Sequence, residues 1–190
     1  MSFSTIRTKI RSLLNEGSKT GNDIYIFESS DVFTISEDNV ISVSDVLRND
    51  VSIGSSNWSY SSSTNKVSIL SGVALVSGDT IQINYSYYPN YSDNELNGYI
   101  QAALSYIAVH NYQTFEIDSD DINPEPTEAE ENLIAVVASI IIHPENKSYH
   151  LQDLRVVVPT KSFSVQEKVQ QLITSFKRNT HGIFTVIIRK

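Results

Sequence analysis

The hydrophobic pattern changes period inside one stretch of the chain, "TIQINYSYYPNYSDNELNGYIQAALSYI", residues 80–107. Ile81, Ile83, Tyr85 and Tyr87 alternate with Gln82, Asn84, Ser86 and Tyr88, the period of a strand with two unlike faces. Pro89 and Asn90 stop that strand, because proline has no N–H to give to a ladder. Ser92 and Glu95 then form the S-x-x-E signature of a helix start. From there Leu96, Tyr99, Ile100, Ala103, Leu104 and Ile107 recur every three or four residues along one helix face. The joint therefore returns the chain from a β segment to a helical body.

The same reading extends to both sides. Residues 4–16 place Ile6, Ile10, Leu13 and Leu14 on one helix face, with Ser4 as N-cap and Gly17 as stop. Arg7, Lys9 and Arg11 fall on the opposite face, either as a solvated surface or as a basic stripe facing a partner. Between residues 24 and 88 short alternating runs ("DIYIFE", "DVFTIS", "VISVSDV", "NWSYSS", "NKVSIL", "TIQINYSYY") are punctuated by Ser, Gly, Asn and Asp. They predict a small antiparallel sandwich or barrel of about five to seven strands. Residues 111–126 read as an acidic loop. Thr127 and Glu130 open a second capped helix, "ENLIAVVASIIIH", apolar nearly all round as a central helix is, with a buried strand as the competing reading. "LRVVVPTKSF" (154–163) reads as extended. Ser164 and Glu167 open a last helix that carries Val165, Val169, Leu172, Ile173 and Phe176 on one face and closes at Gly182. The terminal "IFTVIIRK" is strand-like and lacks Pro or acidic residues, so an exposed edge there invites pairing with another chain.

The fold class expected is thus α+β: a four-helix bundle with a large antiparallel β insertion between helix 1 and helix 2, and a C-terminal strand. The corresponding divisions are 1–19 with 90–182 for the bundle, 20–89 for the β insertion and 183–190 for the C-terminal strand. A length of 190 residues is enough to bury a core for one domain carrying such an insertion.

Composition narrows the function classes. A formal charge of −8 argues against a protein whose task is to grip nucleic-acid phosphates. With no cysteine there is no disulfide, no thiolate metal site and no thiol nucleophile. The first residues lack the apolar run of a signal peptide, and no stretch reaches the length of a membrane span, so the chain reads as soluble and made in the cytoplasm. The N-x-S sequons at Asn57, Asn84, Asn90 and Asn146 carry little weight without an export signal.

Candidate chemistry is sparse. His110, His143, His150 and His181 show no i, i+4 zinc pairing; "HPENKSYH" gathers His143, Glu145 and His150 within eight residues, but Pro144 interrupts it. "DSDDINPEPTEA" fails as a calcium loop because Asn123 stands where Gly is needed and Ala129 where Glu is needed. No nucleophile elbow, phosphate loop or dinucleotide fingerprint occurs. The tyrosines around the joint read as packing rather than as a stacking platform. The expectation is no enzyme activity, no metal and no cofactor.

The block "SGDTIQINYSYYPNYSDNELNGYIQAALSYIAVHNYQTF" (77–115) resembles the head-to-tail connector, or adaptor, proteins of tailed bacteriophages. The likeness lies in the helix start and the alanine-bearing amphipathic helix: Ser92, Asp93, Glu95, Leu96, Ala102 and Ala103. It implies a structural virion protein of the neck, made in the host cytoplasm. Copies of the chain would form a ring, a dodecamer, between the portal protein and a tail-completion or stopper protein, with DNA passing through without specific binding and no membrane involved. The C-terminal segment would dock into the portal through Ile183, Phe184, Val186, Ile187, Ile188 and Arg189. Residues 116–131 hold eight acidic residues and no Lys or Arg, so Asp118, Asp120, Asp121 and Glu125 are expected to line the channel or face a neighbouring subunit, where negative charge keeps DNA from sticking. Two other readings stand beside this one: another tail or baseplate subunit with a ligand-binding β insert, and a small metal-dependent hydrolase.

Overall fold

The structure, a computed structural model, describes residues 3–110, 112–118, 121–145, 148–151, 154–157, 164–178 and 185–187. The chain is α+β and divides into two compact units, Met1–Glu16 with Asp93–Lys190, and Gly17–Ser92. The first unit holds helices α1 (Phe3–Leu13), α2 (Asp93–Val109), α3 (Glu128–Ile142) and α4 (Val165–Arg178). The second holds seven strands, β1 (Lys19–Ile26), β2 (Val32–Thr34), β3 (Val40–Arg48), β4 (Val51–Ser52), β5 (Trp58–Ser61), β6 (Lys66–Ile69) and β7 (Thr80–Tyr87), with one 3-10 turn at Ser55–Asn57.

In the helical unit α3 is the centre. Every residue from Leu133 to Ile140 is buried, which a helix achieves only when neighbours surround it. The strand reading of this segment therefore falls. α1 and α2 pack on α3 and on each other, and α4 packs on α3 and α2. α1 contributes Ile6, Ile10 and Leu13, and α2 contributes Leu96, Ile100, Ala103, Leu104 and Ile107, as the spacing predicts; Phe3 joins them unpredicted, while Leu14 and Tyr99 are only half-buried. Each fully buried Leu or Ile is worth about 1.5–3 kcal/mol relative to exposure.

Two ends of α1 differ from expectation. The helix begins at Phe3, so Ser4 lies inside the first turn rather than capping it. At the other end Asn15, not Gly17, makes the stop. Its φ is 54°, Asn15 N–H donates to Ser12 O at 3.2 Å, and Glu16 N–H donates to Arg11 O at 2.8 Å. This is the paired-bond ending that a left-handed residue permits, and Asn adopts that conformation at lower cost than other side chains. The starts of α3 and α4 follow the sequence. Glu130 N–H donates to Thr127 Oγ1 and Thr127 N–H to Glu130 Oε2; Glu167 N–H donates to Ser164 Oγ and Ser164 N–H to Glu167 Oε2.

The β unit is two sheets around one core. One sheet has the order β1-β7-β3-β4 and the other β2-β6-β5, and all pairings are antiparallel. Phe33, Val67 and Ile69 from the three-stranded sheet meet Val46, Ile81, Ile83 and Tyr85 from the four-stranded one, which makes it a sandwich. β3 turns into β4 through Asn49 and Asp50, both with positive φ, the two-residue turn whose twist matches a hairpin. β3 slips register against β7 between Val40 and Ser42 and again between Val43 and Asp45.

Candidate interaction surfaces

Two further sheets belong to the helical unit. β8 (Glu116–Asp118) and β9 (Asp121–Asn123) form a short hairpin in which Ile117 pairs with Ile122 and Asp118 with Asp121. β10 (Ser148–Leu151), β11 (Leu154–Val157) and β12 (Thr185–Ile187) form a three-stranded sheet in that order, β11 antiparallel to β10 and parallel to β12. The hairpin and β10 are not anticipated by the sequence reading, which took the first as an acidic loop and assigned no element to the second. Three-residue strands are too short to show a period, and the alternation of β10 covers only Tyr149 and Leu151.

The C-terminal segment is the first expected site. Val186 pairs with Val156 and Ile187 with Val157, so one side of β12 is taken up within the chain, and among the described residues the other is the edge of the sheet. Ile183, Phe184, Ile188 and Arg189 lie outside the described residues. The floor of this sheet is firm. Tyr149 is buried, and its hydroxyl donates to His143 O at 2.6 Å. Burial, with Glu145 nearby, pushes its ionisation above the ordinary tyrosine range.

The acidic segment splits into two populations. Glu116, Asp118, Asp121, Glu125 and Glu128 are exposed, and Asp120 lies outside the described residues. Glu130 and Glu131 are instead buried and occupied internally. Glu130 caps α3 and accepts from Tyr112 Oη at 3.1 Å; burial first, then this carboxylate, raises the Tyr112 pKa to about 12. Glu131 accepts from Lys9 Nζ at 2.7 Å. Ile122 and Pro126 are buried as well, so the hairpin is rooted rather than loose.

The basic residues of α1 form neither a solvated face nor an open stripe. Arg7 donates to Asn97 Oδ1 at 2.8 Å and lies 3.4 Å from Asp93; Arg11 reaches Glu16 at 2.5 Å and Asp93 at 2.8 Å. One guanidinium thus holds Glu16, the last residue before the β unit, and Asp93, the first residue after it. Lys168 is likewise turned inward, its ammonium donating to Pro144 O, and Lys177 Nζ donates to His110 O at 2.9 Å. The basic residues of α1, which the sequence reading left to solvent or to a partner, are instead consumed in joining α1 to α2 and α3.

The β unit carries an open cavity of about 390 Å³ lined by Thr20, Gly21, Asn22, Ser44, Asn84 and Tyr85. Beneath it Asp23 organises a polar knot: Ser36 N–H and Oγ donate to its carboxylate at 2.7 Å each, and Tyr85 Oη donates at 3.2 Å. Tyr25 Oη donates to Thr34 O and lies 3.2 Å from the same carboxylate; burial, then Asp23, raises its pKa to about 12. These phenols stay protonated as donors at neutral pH.

His143 Nδ1 sits 2.9 Å from Glu145 Oε1, but among the described residues no three His, Cys, Asp or Glu side chains gather as a metal site. No helix among the described residues is long and apolar enough to cross a membrane. Compared with known protein families and with curated proteins, the chain matches none.

Proposed function

We propose that this chain is a structural virion protein of a tailed-phage neck, an adaptor that assembles as a ring on a portal protein, receives a tail-completion or stopper protein and performs no catalysis. The observation that supports this most is the C-terminal sheet, in which β12, the last described strand, lies at a sheet edge. An edge strand offers main-chain donors and acceptors for strand addition, and alternate side chains supply selectivity. The exposed carboxylates of residues 116–128 suit a surface that DNA passes without sticking.

The test is assembly on purified portal rings, followed by electron microscopy, with the full chain, a chain ending at Gly182 and the variant Val186→Asp. The full chain is expected to decorate the portal while the other two do not. Decoration by all three would remove the docking role of the C-terminal strand. Failure of all three, with each chain folded, would remove the neck reading.

A second reading, a tail or baseplate subunit with a ligand-binding β unit, is favoured by one observation: the cavity is lined by neutral hydroxyl and amide side chains and by no charged residue. Its ligand would be a neutral polyol such as a glycan. A glycan array probed with the wild type and with Asn84→Ala checks it, a signal lost in the variant being the expected outcome.

A further inference from the structure

β1 is one edge of the four-stranded sheet, and two backbone bonds establish which way its amides face. Phe27 N–H donates to Asp79 O at 2.8 Å, on the β7 side of β1. Asn49 N–H donates to Thr80 O at 2.8 Å, so the backbone of Thr80, the partner of Ile26, is turned to β3 rather than to β1. Backbone groups alternate sides along an antiparallel ladder, and β1 runs against β7 without a bulge from Lys19 opposite Tyr87 to Ile26 opposite Thr80. Gly21, Asp23 and Tyr25 therefore bond to β7, while Thr20, Asn22, Ile24 and Ile26 turn N–H and C=O to the open edge. The side chains of these same four residues are exposed, Ile24 by 62% and Ile26 by 70%.

Edges of this kind are normally blunted by proline, by lysine or by a charge in mid-strand. Between Thr20 and Ile26 the charge is Asp23 alone, and its carboxylate is taken by Ser36 and Tyr85. Opposite charges stand instead at the two ends, Lys19 and Glu28, both exposed and neither in an ion pair among the described residues.

We propose that β1 is a self-association site, through which two free chains pair by running their β1 strands antiparallel about a two-fold axis and joining their four-stranded sheets into one. With Ile24 opposite Ile24 at the axis, Asn22 faces Ile26 of the second copy. Lys19 of each copy then lies at the end where the second copy carries Glu28. A parallel pairing would set Lys19 beside Lys19 and Glu28 beside Glu28, so the charges select the antiparallel arrangement and a second copy as occupant. A two-fold contact closes on itself and uses up both β1 edges, so this contact does not propagate. It is therefore a state of the free chain, different from a head-to-tail ring, and does not rest on the neck reading.

Sedimentation velocity of the full chain over a dilution series tests this with three kinds of variant. Ile24→Pro removes an N–H that faces outward and leaves the β7 ladder whole, so it should weaken the dimer about a hundredfold with little change in melting temperature. Tyr25→Pro removes an N–H that faces β7 and should instead lower the melting temperature. Lys19→Glu and Glu28→Lys should each weaken the dimer about tenfold, and the double reversal should restore it. Should Ile24→Pro misfold, the charge reversals on the exposed ends decide alone. A monomer at every concentration, a dimer indifferent to Ile24→Pro, or a double reversal weaker than either single would each overturn the proposal.

Discussion

Arg11 lends itself to a quantitative test because its two carboxylate partners differ in burial. The guanidinium is 6% exposed and reaches Glu16, 1% exposed, and Asp93, 57% exposed. Arg11→Met keeps most of the apolar stem and removes the charge. On the Glu16 side this removes the cation facing a carboxylate shut away from water, a loss of about 3–5 kcal/mol. On the Asp93 side solvent screens the pair, and the loss is about 0.2–1 kcal/mol. Two double-mutant cycles separate the arms: Arg11→Met with Glu16→Met, and Arg11→Met with Asp93→Asn. The coupling energy expected for the first is about 3 kcal/mol and for the second below about 1 kcal/mol, and the first double variant should recover much of the stability that the single one loses. Urea unfolding followed by far-UV circular dichroism measures this, with an unchanged m-value as the check that the unfolding unit is the same. An Asp93 coupling equal to or above that of Glu16 would refute the argument from burial.

Three further outcomes are expected. Because the Arg11 guanidinium spans Glu16 and Asp93, replacing residues 17–92 by a short Gly/Ser linker should leave a helical protein that still unfolds cooperatively; a gradual melt by circular dichroism would contradict this. A methyl group on Gly21 would lie 2.6 Å from Cε2 of the Tyr85 ring, so Gly21→Ala should cost about 1–3 kcal/mol in thermal unfolding and be relieved by shrinking Tyr85 to Val. The Asp79 carboxyl is held below the usual carboxylate range, chiefly by the Val76 N–H at 2.8 Å, then by the Asn49 amide and by Arg48, against an opposing burial effect. Its stabilisation is complete above the ordinary pKa of about 3.9 and is lost as pH falls through the lowered value. Asp79→Asn should therefore be less stable at neutral pH and lose that acid step, and parallel stability-against-pH curves for the two proteins would contradict the assignment.

The sequence by itself determined the features whose causes lie within a few residues. The caps at Thr127 and Ser164 depend on a glutamate three positions on, and both are present. The alternation of β7 and the faces of α1 and α2 follow from side-chain periods that no distant contact has to supply. The all-round apolar run of α3 showed a buried element but left helix and strand open, and the packing of α1, α2 and α4 around it decided for the helix. Tertiary structure alone decided where long charged side chains end: Arg11 meets Asp93 across 82 positions and Lys9 meets Glu131 across 122, distances over which no local pattern carries information. It also split the β segment into two sheets, turned Asn15 into the stop for α1, and set β12 beside β11. A strand's side-chain alternation shows which residues face inward, but only the partner strands determine which edge stays open, and in β1 that choice left Ile24 and Ile26 outside.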